Sequence, residues 1–121
     1  MSIYVIDIDK TICVPNHDAD DTWVRYGEAE PIWDVIETIQ TLYGEGHTII
    51  LHTARRMLTH NGDVAKIIAD VGQITVDWLR DAGVPYHQLV FGKPYGDFYI
   101  DDKAMLPDEF VRRNHHCDAV L

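Results

Sequence analysis

Two short runs rich in β-branched and aromatic residues, "IYVIDI" (Ile3 to Ile8) and "HTIILHT" (His47 to Thr53), constrain this chain more than any other feature. Both predict buried strands. Between them Pro31 stands where it can open a helix, since the first helical turn tolerates a residue without an N–H. Ile32, Val35, Ile36, Ile39 and Leu42 follow at helical spacing, and Gly44 or Gly46 ends the run. Val64, Ile67, Ile68 and Val71 make a second helical face, which Ile74 to Ala82 continues or restarts after Gly72. "HQLVFG" predicts a third strand and "FYIDD" (Phe98 to Asp102) a short fourth. Asp108 to Arg113 predicts a short helix, and Ala119 to Leu121 an edge strand. Strands alternating with helices imply right-handed crossovers, a mostly parallel sheet and helices on both of its faces.

At 121 residues the chain is long enough for one core and too short for two. No apolar run reaches the ~18 residues that cross a bilayer, and the first residues lack the pattern of a signal peptide, so a cytoplasmic location is expected. Cys13 and Cys117 make no disulfide framework. The formal charge of −10 and the absence of a basic stripe argue against a nucleic-acid partner.

Ligands of open parallel sheets bind beyond the carboxyl ends of the strands. That rule gathers Asp7 and Asp9 after the first strand, Thr53 after the second, Lys93 after the third and Asp101 with Asp102 after the fourth. Four carboxylates in one pocket repel one another, and a single lysine offsets too little of that charge. A hard divalent cation such as Mg²⁺, bound by oxygens and sharing a phosphate, would relieve them. Of the neighbouring pair Asp7 and Asp9, one can attack while the other donates a proton. Thr53 and Lys93 suit phosphate oxygens.

"DIDKT" (Asp7 to Thr11), Thr53 in "LHTAR", Lys93 in "FGKP" and the acid pair in "YIDDKA" resemble, in order, the four motifs of the haloacid-dehalogenase-like hydrolases. The resemblance covers roughly Ile3 to Ala104, and the wording around "HTIILHTARRM" is similar to that superfamily's small capsule-biosynthesis phosphatases. It implies a single three-layer, Rossmann-like domain over residues 1–121. It also implies a Mg²⁺-dependent phosphomonoesterase acting on a small sugar or polyol phosphate. Asp7 would be the nucleophile that forms an aspartyl-phosphate, and Asp9 the general acid and then base. Thr53 and Lys93 would bind the phosphoryl group. The metal would sit among Asp7, the backbone carbonyl of Asp9, Asp101 and, through water, Asp102.

Lys10 departs from the pattern, standing where the family most often has glycine, and is a candidate substrate contact along with Arg55 and Arg56. The intervals between motifs leave no room for the separate cap domain that most members carry. The site is then open unless a flap over about residues 12–30, with an acid-rich part from Asn16 to Glu30, or a neighbouring subunit of a homo-oligomer covers it. Trp23 and Tyr26 are its candidates to touch substrate. A phosphotransferase of the same mechanism is the nearest alternative. A phospho-accepting receiver domain fits poorly, because no aspartate closes the second strand and the acid pair follows the lysine. His115, His116 and Cys117 are read as incidental rather than as a zinc site.

Overall fold

The computed structural model describes residues 1–114. The expected edge strand at Ala119 to Leu121 and the trio His115, His116 and Cys117 lie outside the described residues. Strands β1 (Ile3–Asp7), β4 (Thr48–Thr53) and β5 (Gln88–Phe91) form an open parallel sheet in that order. Asp7 pairs with His52, and Thr53 with Phe91, so the three strands finish almost level. Helix α1 (Trp33–Gly44) connects β1 to β4, and α2 (Val64–Asp81) connects β4 to β5. Two-residue strands β2 (Cys13–Val14) and β3 (Glu30–Pro31) pair antiparallel at the root of the flap, and α3 (Pro107–Arg113) follows last. The protein is thus an α/β fold on a parallel three-stranded sheet.

The core covers one face of that sheet. Ile6, Ile8, Ile49 and Leu51 pack with Val35, Ile36, Ile39 and Leu42 of α1 and with Trp78 and Leu79 of α2. On the opposite face Ile3, Val5 and Val90 are exposed. Helices on both faces, as the strand–helix alternation predicted, are therefore not found among the described residues. The strand order supplies the reason: two right-handed crossovers that step the same way across a parallel sheet lay their helices on the same side.

Two local expectations are also corrected. Pro31 does not open α1. It pairs with Cys13 in β3, and the helix starts at Trp33, after Ile32 has donated its N–H to Ile12. Phe98 to Asp102 forms no strand, and Phe98 and Ile100 are almost fully exposed. Local hydrogen bonds take the place of a ladder there. The Tyr99 hydroxyl donates to Pro94 O and accepts from Gly96 N, while Asp101 accepts from Lys103 N.

Helix α2 runs unbroken through Gly72, with Asp63 as its N-cap accepting from Lys66 N. Local hydrogen bonds set the backbone of the 12–30 segment. Asp21 accepts from Trp23 N and Val24 N and so starts a π-helical turn, Trp23–Gly27. Its Tyr26 is buried against Ile67 and Val71 of α2. Among the described residues no helix is long and apolar enough to cross a membrane.

Ile39 is fully buried between helix and sheet. Ile39→Ala should lower unfolding free energy by about 2–5 kcal/mol, measured by urea denaturation, through lost burial and the cavity left behind.

Candidate active site

A cavity of about 600 Å³ opens at the carboxyl edge of the sheet. Asp7 is the last residue of β1, Arg55 and Arg56 follow β4, and Lys93 follows β5 after Gly92, whose φ of +99° turns the chain. Lys93 Nζ stands 3.5 Å from Asp7 Oδ1 and 4.1 Å from the centroid of the Tyr99 ring. Its backbone N–H donates to Thr53 O, which fixes its height over the strand end. Asp9 lies two residues beyond Asp7 on a tight turn, where Thr11 N and Ile12 N both donate to Ile8 O. Lys10 sits at the apex with φ +65°, a left-handed conformation that costs a lysine about 1 kcal/mol or more. Its exposed side chain lines the cavity.

Arg55 is the most fully partnered cation among the described residues. Its side chain has no exposed surface, and it grips Asp9 with Nη2 at 2.7 Å from Oδ1 and Nε at 3.0 Å from both oxygens. Nη1 donates to the Thr75 hydroxyl, which donates onward to Val71 O within α2. The Tyr26 ring closes over the guanidinium, 4.4 Å from its centre. Burial by itself would weaken the guanidinium's hold on its proton. The hydrogen bonds and charge of Asp9 more than offset this, and the proton is held more tightly than usual. Arg55 was a candidate substrate contact. The structure instead commits its guanidinium to Asp9, Thr75 and Tyr26, because a buried cation needs partners on every side.

Arg56 behaves differently. Its Nη2 donates to the Thr22 hydroxyl of the flap. Its Nε lies 3.3 Å from Asp70 Oδ2, close enough for an ion pair though not aligned as a hydrogen bond. His60 reaches the same carboxylate oxygen at 2.9 Å.

Thr53 is buried and accepts from Arg55 N at 3.0 Å, so its hydroxyl shapes the turn beneath the cavity and does not line it. Asp101 and Asp102 are exposed on the coil after Tyr99 and do not line it either. Among the described residues no three His, Cys, Asp or Glu side chains are grouped to hold a metal ion. Of the four expected carboxylates two line the cavity, each facing a cation of the protein's own, Asp7 with Lys93 and Asp9 with Arg55, and Asp97 joins them there. The segment carrying the other two makes its hydrogen bonds within itself instead of joining the sheet.

No protein-family model and no curated protein matches this chain. A solved crystal structure of a structural-genomics target from Vibrio cholerae is similar to it, with 34% identity and a TM-score of 0.81, covering 95% of this chain and 94% of that one. This chain belongs to the same family as that Vibrio protein. The shared fold extends over nearly the whole of both chains.

Several residues in and around the site escaped the sequence. Arg25 was submerged in an acidic stretch that reads as a solvated face, yet its Nε and Nη2 donate to Ala19 O and His17 O and fold the flap around it. Thr75 carries no signal at all in a helix. Of the two flap aromatics, Tyr26 lines the cavity while Trp23 is more than half exposed and does not. His52, beside Asp7 in the ladder, is held less basic than usual by burial and then by the charge of Lys93, with Asp7 opposing.

Two outcomes follow from this arrangement. Arg55→Met should leave Asp9 without its partner and cost about 3 kcal/mol of stability in denaturant unfolding. Burial, assisted by Asp9 and opposed by Arg55, pushes the Cys13 thiol up to about 12. Cys13 should therefore take no iodoacetamide label at pH 8 in the folded protein and label fully in urea, as read by peptide mass spectrometry.

Proposed function

We propose that the protein is a phosphomonoesterase of the haloacid-dehalogenase-like type, working through an aspartyl-phosphate on a small phosphate ester. The observation that carries this is the placing of Asp7 and Asp9 on one cavity with separate cations, Lys93 and Arg55. Two carboxylates held in different electrostatic surroundings can take different chemical roles. An Asp7 oxygen attacks phosphorus, the ester P–O bond breaks, and the departing alkoxide takes a proton from Asp9. Water then attacks phosphorus as Asp9 takes its proton, the bond to Asp7 breaks, and inorganic phosphate leaves. Within Asp9, Oδ1 receives two guanidinium contacts and Oδ2 one, which favours Oδ2 as the oxygen that carries the proton. Lys93 stands at Asp7, where it can orient the nucleophile and meet the charge of the incoming phosphoryl group.

Mg²⁺ belongs to this proposal through the motif resemblance alone. As placed, two carboxylates that each face a cation do not make an octahedral oxygen site, and Asp101 and Asp102 lie outside the cavity. No step above is routed through a metal. The proposal also takes the domain as cap-less, with the ordered flap roofing the site. It takes the fold as three-layered, with the exposed Ile3, Val5 and Val90 as an apolar surface on the second face of the sheet.

The test is turnover of an aryl phosphate, assayed with Mg²⁺ and with EDTA. Asp7→Asn should reduce kcat by at least about a thousandfold with an unchanged circular dichroism spectrum. An Asp7→Asn variant that retains its rate would remove the nucleophile. Equal wild-type rates in Mg²⁺ and EDTA would remove the metal alone.

A further inference from the structure

We propose that this cavity selects phosphate esters bearing a second anionic group, such as a carboxylate or another phosphate, on the part that departs. The inference rests on the phosphatase chemistry proposed above and names its substrate class. The chain is strongly acidic overall, yet five of its ten Lys and Arg residues line this one cavity, against three of its twenty carboxylates. Such a concentration of positive charge in a cleft focuses the field on anions and opposes the repulsion of the rest of the surface.

The pairing of these charges shows which are available. Lys93 faces Asp7, Arg55 is committed to Asp9, and Arg56 leans on Asp70, which is not among the lining residues. Lys10 and Arg25 have no carboxylate partner among the described residues. Arg25 is held in place by two backbone carbonyls, which orient a guanidinium without neutralising it. Lys10 is carried at the mouth by a backbone conformation that a glycine would adopt without strain. A phosphoryl group lodged at Asp7 and Lys93 would leave both cations facing the rest of the substrate. A neutral sugar or polyol would leave them unmatched, whereas a carboxylate or second phosphate would complete them.

The test compares phosphonoacetate, which has two anionic groups, with 2-hydroxyethylphosphonate, which has one, by isothermal titration calorimetry on the whole protein. Phosphonoacetate should bind about tenfold tighter or better, and Lys10→Met should reduce the gap to about threefold or less. Lys10→Gly, which relieves the backbone strain and so keeps the fold, should do the same. Equal wild-type affinities, or a gap unchanged in both variants, would overturn the proposal. Because binding is read without turnover, the two proposals fail separately. A gap in a protein that hydrolyses no ester would refute the phosphatase and leave the dianion site standing. Hydrolysis without a gap would do the reverse.

Discussion

The contact on which the rest of the site depends is the grip of Arg55 on Asp9. It joins residues 46 positions apart, ties the turn after β1 to the turn after β4, and reaches α2 through Thr75. A guanidinium with no exposed surface must have its donors met, and Asp9, Thr75 and Tyr26 surround it. Because a buried ion pair seldom adds net stability over well-packed apolar residues, its presence here is better explained by what it positions. It sets a carboxylate, a quarter exposed, at the wall of a cavity. With Asp7 similarly faced by Lys93, the protein keeps two neighbouring acids together using cations of its own.

The placing of both crossover helices on one face of the sheet shapes the setting of this site. Both crossovers step from β1 through β4 to β5, so α1 and α2 lie over Ile6, Ile49 and Leu51 and leave Ile3, Val5 and Val90 on an open face. The level strand ends bring Asp7, Arg55 and Lys93 to a common rim. Tyr26 brings the 12–30 segment to that cavity because it has two partners at once, the apolar face of α2 and the cations after β4. One aromatic ring thereby couples packing to electrostatics.

Much of this was legible beforehand, for reasons that can be named. β1, β4 and β5 announce themselves through β-branched runs, and α1 and α2 through their spacing, because burial of an apolar face is what makes such elements form. The strand-end rule then pointed to Asp7, Asp9 and Lys93 without any contact being known. The rule misled at Asp101 and Asp102, since "FYIDD" has strand composition but its hydrogen bonds close locally around Tyr99 and Lys103. Thr53 was placed correctly in the chain and misjudged in depth, being buried beneath the turn it holds.

Local order along the chain determined which segments become strands and helices and which acids and bases stand at their ends, because periodicity and strand position act over only a few residues. Tertiary structure alone decided which charge meets which. Nothing near Arg55 in the chain announces Asp9, Thr75 or Tyr26 as its partners, and nothing near Arg25 marks it as part of a cavity wall. Pairing between distant groups depends on the direction in which crossovers step and on how deep each side chain is carried. Those are properties of the packed whole, where removing a charge from water makes its partner obligatory.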